Sequence, residues 1–332
     1  MTNEKINAFI AGIGICLPKT VLTNQDMAKM VGTSDEWIQA MTGIRERHIA
    51  DPNEATSDLG TIAAEQAMIH AGINHSDVDL IIVGTMSPDF MAPSTACIIQ
   101  ERLGMKNTPA FDVSAACSSF IYALVIGSQF ITAGLYRTIL IIGADVTSRI
   151  VNFNWEDRGS SILMGDGAGA VVLQSALPGH GILSMCIGAD GSGAKHLYIP
   201  AGGTRMAVTA ENITANMHKV KMNGQKVFQF AMRMLPKVTE QALEMANISK
   251  EEVALIIPHQ ANLRIIEAAA RRMDLPMDKF MLNLDRYGNT SSASIPIALD
   301  EALKEGRIKQ GDVVVLTGFG TGLTWGAVVM RW

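Results

Sequence analysis

The sequence predicts an α/β protein made of two similar halves, and three observations carry that expectation. Apolar runs such as LIIVGT (80–85), ILIIGAD (139–145), ALIIPH (254–259) and VVVLTG (313–318) read as parallel strands covered on both faces. Helical patterns separate these runs, so strands alternate with helices. Residues 65–82 (EQAMIHAGINHSDVDLII) match residues 240–257 (EQALEMANISKEEVALII) without a gap at an offset of 175, with nine of eighteen positions identical. The same offset takes Gly143, closing TILIIG, onto Gly318, closing VVVLTG. Chance similarity of one low-complexity stretch does not hold register so far down the chain. The two halves are expected over residues 1–175 and 176–332.

In chain order, the run Ile6–Leu17 is a first strand rather than a secretory signal: Glu4 offsets Lys5, no small-residue cleavage site follows, and Gly12, Gly14 and Pro18 punctuate it. PSTACIIQERLG (93–104) reads as a helix and FDV (111–113) as a strand. Phe120 to Val146 is the most apolar stretch, but Ser128, Gln129, Arg137 and Asp145 interrupt it. It divides into a buried helix, a turn at Gly134 and a buried strand, and not a membrane span. GILSMCIG (181–188) reads as a strand, and MLNLD (281–285) as another.

Composition narrows the class. Hydrophobic residues make up 48% and charged residues 18%, which excludes a disordered chain. A net charge of −5 argues against a broad basic face for nucleic acid. The thirty glycines and twenty methionines indicate tight packing, part of it expected in a subunit interface. The four cysteines, Cys16, Cys97, Cys117 and Cys186, have no C-x-x-C spacing. They read as reduced thiols of a cytoplasmic protein, with no structural zinc. GDGAGA (165–170) and GFGTGLTWG (318–326) fit neither nucleotide fingerprint, so no NAD, ATP or other cofactor is implied.

Ligand sites in such folds lie beyond the carboxyl ends of strands. After FDV, Cys117 opens an apolar helix, where the helix dipole and free backbone N–H groups favour a thiolate. Placement alone leaves nucleophile and small buried hydrophobe equally open. After ALII comes His259, by itself more often a packed or surface residue than a catalytic one. After MLNLD comes Asn289, by itself a turn residue beside Gly288, with Thr290 and Ser291 opening a helix.

Taken together, TSDEWI (33–38), TGIRERH (42–48), FDVSAACSSF (111–120), DRGSSILMGDGAGA (157–170), PHQANLRII (258–266), LDRYGNTSSAS (284–294) and GFGTGLTWG resemble the beta-ketoacyl-acyl-carrier-protein synthase III family of the thiolase superfamily. The resemblance spans nearly the whole chain. It implies the five-layered thiolase-like fold, a homodimer, and a decarboxylative condensation of an acyl-CoA with malonyl-acyl-carrier protein that starts type II fatty-acid synthesis. It implies Cys117, His259 and Asn289 as the catalytic residues, with the backbone N–H groups of Cys117 and Thr321 as an oxyanion hole. For CoA it implies Trp37, Arg158, Gly224, Phe228, Asn262 and Arg264; for the acidic carrier protein it implies Arg264, Arg271 and Arg272.

Four positions depart from the pattern. Met41 stands where many members carry an arginine beside the adenine, and Gln229 where a lysine often joins the carrier-protein patch. Thr321 replaces a common glycine, making positive φ less accessible. Ala92 replaces a common phenylalanine at the acyl pocket, reached across the dimer, and a smaller residue there is expected to admit a longer or branched starter. Related condensing enzymes or acyltransferases of secondary metabolism share the Cys–His–Asn set and are the nearest alternative. The order Cys, His, Asn also fits a papain-like hydrolase superficially, but its local cysteine signature is absent. A non-catalytic partner subunit has no chemical reason to keep all three residues.

Overall fold

A computed structural model describes residues 7–176 and 179–332. Ile6, expected in the first strand, lies outside them, as do Glu4 and Lys5. The strand itself runs Asn7–Cys16.

Two sheets share one strand order. The first runs Asn7–Cys16, Gly167–Ala176, Thr138–Asp145, Leu80–Gly84, Ala110–Val113. Its first two pairings are antiparallel and its last two parallel. The second runs Gly181–Ala189, Thr324–Arg331, Val313–Gly320, Val253–Pro258, with two antiparallel pairings and then a parallel one. In place of a fifth strand, Phe280 makes one parallel bridge to Ile256.

The expected strand MLNLD is therefore not a strand. Met281 N donates to Ile256 O at 2.9 Å, after which the chain turns away and Leu284–Tyr287 forms a helical turn. Asn283 causes the departure: its N–H donates to Gln260 Oε1 at 3.1 Å and its side chain to Glu301 at 2.9 Å, so its polar groups bond outside any ladder.

The layers follow from the apolar pattern. The helix Thr56–Ala71 covers one sheet from outside, and Gly224–Ala246 with Leu263–Met273 covers the other. The helices Ser119–Thr132 and Ser294–Lys304 lie between the sheets. Phe120, Leu124, Ile295 and Leu299 from these central helices share one buried core with Ile82, Ile141, Leu255 and Leu316 from the sheets. This is the five-layered arrangement of helix, sheet, helix, sheet and helix.

The offset of 175 reappears in the backbone. The strand Thr138–Asp145 corresponds to Val313–Gly320, and the 3-10 turn Ala116–Ser118 to Ser291–Ala293. Both turns begin on a left-handed residue, Ala116 at φ 49° and Ser291 at φ 52°. The two turns pack against each other, bringing Cys117 from one half beside the turn that follows Asn289 in the other. Gly143 permits this approach: a Cβ there would lie 2.5 Å from the backbone oxygen of Ser292.

Candidate active site

Cys117 stands at the centre of its 3-10 turn, only 5% exposed, on the floor of a cavity of about 480 Å³. His259 and Asn289 line the same cavity. Opposite the cysteine, Gly320 closes the strand Val313–Gly320 so tightly that a Cβ would meet Cys117 N at 2.8 Å.

The expected lowering of the thiol pKa is overturned. The helix proper begins at Ser119, and burial pushes the Cys117 thiol up to about 12. Withdrawing the sulfur from water disfavours its anion more than the helix terminus favours it. One side chain opposes this: the Ser291 hydroxyl donates to Cys117 Sγ at 3.4 Å. Asp145, buried nearby, adds to the upward push. Attack needs thiolate, so the acylation rate rises with pH toward the thiol pKa. Removing the Ser291 donor moves that pKa further up. Ser291→Ala is expected to slow acylation at fixed neutral pH by about 5- to 10-fold, the worth of one such hydrogen bond. Stopped-flow release of CoA against pH reads both the rate and the shift; an unchanged profile would leave Ser291 without a role in activating the thiol.

His259 follows the strand Val253–Pro258 and is held by its own N–H on Thr317 O at 2.8 Å. Its ring is buried at 1% exposure, and loss of solvent lowers its pKa from the ordinary value to about 3. The imidazole is therefore neutral throughout the working pH range. Nδ1 sits 2.7 Å from Ser294 Oγ, and Phe319 packs edge-on against the ring at 5.4 Å. Nε2 is left to the cavity.

Asn289 is pinned by its backbone. Its N–H donates to Leu163 O at 2.7 Å and its carbonyl accepts from Gly165 N at 3.0 Å. Its side-chain Oδ1 accepts the Ser291 N–H at 2.9 Å, closing an Asx turn. With that oxygen engaged, the amide NH₂ faces the cavity as a donor. One thiol, one imidazole nitrogen and one amide NH₂ thus share one partly apolar space.

Trp37 and Met41, from the helix Asp35–Thr42, stand at the cavity mouth. Gly224, Phe228, Asn262 and Arg264 line it as well. The Arg158 guanidinium lies 3.5 Å over the Trp155 ring and 5.8 Å from that of Trp37. Met41 is not an isolated gap: Asn262 Nδ2 donates to its carbonyl at 3.0 Å, and Arg264 Nη1 lies 3.7 Å from its sulfur. Arg271 and Arg272 lie further along the same helix as Arg264, and Gln229 lies on Gly224–Ala246. Thr321 lines a second cavity, with Ala116, Tyr198 and Gly322, and its hydroxyl bonds Leu197 O. It is not a positive-φ residue; Gly322 takes that conformation, so the threonine carries no such strain. Ala92 is exposed on the loop before Thr95–Arg102 and does not line the Cys117 cavity within this chain.

Sequence reasoning missed Ser294 and Trp155, and it named Ser291 only as a helix opener and Asp145 only as a break in an apolar stretch. The only written signal was the serine cluster in NTSSAS and the tryptophan three residues before Arg158.

Two family models match the chain: 3-oxoacyl-[acyl-carrier-protein] synthase III over residues 111–191, and its C-terminal region over residues 243–332. A beta-ketoacyl-[acyl-carrier-protein] synthase III of Caldanaerobacter subterraneus subsp. tengcongensis is 51% identical over 99% of both chains. The crystal structure of 3-oxoacyl-[acyl-carrier-protein] synthase III from Aquifex aeolicus superposes with a TM-score of 0.90 at 45% identity, covering 98% of this chain and 100% of that one. A priming beta-ketosynthase of the R1128 polyketide pathway matches with a TM-score of 0.89 but only 29% identity, over 100% of this chain and 98% of that one. The chain belongs to the beta-ketoacyl-[acyl-carrier-protein] synthase III family.

Proposed function

We propose that Cys117, His259 and Asn289 carry out the family's acyl transfer in two stages. In the first, Cys117 sulfur attacks the thioester carbonyl of an acyl-CoA. The C–S bond to CoA breaks, the acyl group stays on Cys117, and the thiol proton ends on the departing CoA sulfur. In the second, malonyl-acyl-carrier protein loses CO₂. The electron pair of the broken bond becomes an enolate, whose oxygen receives hydrogen bonds from His259 Nε2–H and Asn289 Nδ2–H. Neutral donors suit this step, and each contributes about 10²–10³ in rate. The enolate carbon attacks the acyl carbonyl, and Cys117 leaves as thiolate and regains a proton from solvent. The backbone N–H groups of Cys117 and Thr321 serve the oxyanion of that attack; the tight seat of Gly320 against Cys117 supports this pairing.

One observation carries the reading: a thiol and two side-chain N–H donors, drawn from three distant segments, converge on one cavity whose mouth is flanked by Trp37. We read Trp37 and Arg158 as the adenine platform, with Gly224, Phe228, Asn262 and Arg264 along the pantetheine path. Arg264, Arg271 and Arg272 form the local basic surface for the carrier protein on an otherwise acidic chain. Primary fatty-acid synthesis is favoured over the secondary-metabolism alternative by the gap between 51% and 29% identity.

The division at 175/176 and a homodimer belong to the same reading. Ala110–Val113 forms the outer edge of its sheet, with no strand on its other side among the described residues, and Phe90 and Met91 are 61% and 84% exposed on the neighbouring loop. A second copy on that edge would bury them and carry Ala92 toward the partner's acyl pocket. The free thiols support a reducing, cytoplasmic setting. Among the described residues no helix is long and apolar enough to cross a membrane.

The test is a panel of acyl-CoAs of increasing length and branching, read by intact mass and then by product formation with malonyl-acyl-carrier protein. The expected result is one acyl group per chain, on Cys117, with longer or branched starters turned over at least as fast as acetyl. A strict acetyl preference removes the role given to Ala92; no acyl retention removes the whole reading.

A further inference from the structure

The two stages above make no use of one buried group that lies against the imidazole, the Ser294 hydroxyl. We propose that Ser294 is a positioning residue that holds His259 in the tautomer with its proton on Nε2, aimed at the substrate. This rests on the reading of His259 as a donor to the enolate.

A neutral imidazole has one N–H and one bare nitrogen, and only its neighbours decide which is which. Ser294 Oγ lies 2.7 Å from Nδ1, and the same oxygen accepts the Gln260 N–H at 3.3 Å. Among the described residues no other acceptor bonds the Ser294 hydroxyl, so its proton is directed at Nδ1. The reverse assignment brings two N–H donors onto one oxygen and strands the hydroxyl proton in a site only 2% exposed. The consistent arrangement runs from Gln260 N–H to Ser294 Oγ, and from Ser294 O–H to His259 Nδ1. Nε2 then keeps the proton.

The surroundings hold this chain of bonds in place. The Gln260 side chain donates to Pro258 O at 2.8 Å and Met281 O at 3.1 Å, fixing the residue whose N–H meets Ser294. Ser294 opens the helix Ser294–Lys304, directly after the turn Ser291–Ala293 that follows Asn289. One short segment therefore presents both donors, the Asn289 amide directly and the His259 N–H through Ser294. The other half supplies a contrast. Ser119, the residue at the same place in the repeat, turns its hydroxyl to the backbone and accepts the Ala115 N–H at 2.8 Å. At the same position, one serine closes a turn and the other meets an imidazole.

The test reads the proton directly. In protein labelled with ¹⁵N-histidine, the His259 signals are identified by their loss in His259→Ala. The wild type is expected to show a bare Nδ1 and a protonated Nε2. In Ser294→Ala that preference is expected to be lost. Malonyl-acyl-carrier-protein decarboxylation should fall about 10- to 100-fold, as for an impaired oxyanion donor, while single-turnover acylation of Cys117 changes far less. Ser294→Thr, which keeps the hydroxyl, should restore both, and remains informative if the alanine variant does not fold. A protonated Nδ1 in the wild type overturns the proposal, as does a Ser294→Ala protein with unchanged tautomer and decarboxylation. A His259→Ala protein that decarboxylates at the wild-type rate instead defeats the functional reading, which the tautomer measurement does not depend on.

Discussion

Cys117→Ser is expected to retain no acyl group from any acyl-CoA and to lose condensation by at least about a thousandfold. A serine hydroxyl fills nearly the same volume, so the fold should survive. The oxygen, however, is far less acidic and a poorer leaving group than sulfur. Burial that pushes the thiol up to about 12 disfavours a hydroxyl anion further still. His259 and Asn289 are untouched by the change, so decarboxylation of malonyl-acyl-carrier protein should persist while carbon–carbon bond formation disappears. Intact mass and trapped CO₂ separate the two. Acyl transfer surviving on Cys16, Cys97 or Cys186 would show that the nucleophile had been misassigned.

The second large effect is expected at Asp145, which the chemistry never touches. Its carboxylate is fully buried and ties together segments from both halves. Oδ1 accepts from Thr85 Oγ1 at 2.9 Å, Met86 N at 2.8 Å, Ser87 N at 3.0 Å and Ser87 Oγ at 2.8 Å. Oδ2 accepts from Ser292 N at 3.0 Å and Ser292 Oγ at 2.6 Å. The Ser292 hydroxyl has a second acceptor in Gly84 O at 2.8 Å, but the backbone N–H groups of Met86, Ser87 and Ser292 can only donate, so Asp145→Asn is a severe change despite its shape. Its NH₂ must face donors on one side or the other, leaving them unpaired in a dry site. The expected loss is about 3–5 kcal/mol, the range for breaking a buried charged network, read from urea unfolding. Losing the Asp145 charge relieves part of the upward push on the Cys117 thiol, so any fall in activity comes through displacement of Ser292 and the adjoining Ser291 that touches Cys117. A variant within about 1 kcal/mol of wild type would mean that water replaces the carboxylate at this joint.

Much of the molecule was legible in one dimension. Strands covered on both faces announce themselves as unbroken apolar runs, and the duplication is written as a constant offset from residue 65 to residue 318. The segment MLNLD shows the limit. Its apolar residues look like those of a strand, yet Asn283 finds partners in Gln260 and Glu301, in other segments of the chain, and the ladder stops at one bridge. Thr321 illustrates the same limit in reverse. A threonine in a glycine slot suggested strain, but the backbone places its unusual φ one residue later, on Gly322.

Periodicity, register and residue type are local properties, and they were enough to give the α/β class, the repeat and the three chemically distinctive residues. The chemical state of those residues depended on the folded chain around them. The helix mouth at Cys117 was visible from its neighbours in the chain, and it favoured an anion. Desolvation under the folded chain reverses this, and the Ser291 hydroxyl that resists it arrives from the opposing half. The Asp145 carboxylate likewise meets Ser292 across the repeat, and the hydroxyl beside His259 Nδ1 comes from the separate helix that Ser294 opens. Burial and hydrogen bonding depend on what folds over a residue, and that cover comes from segments far from it in the chain.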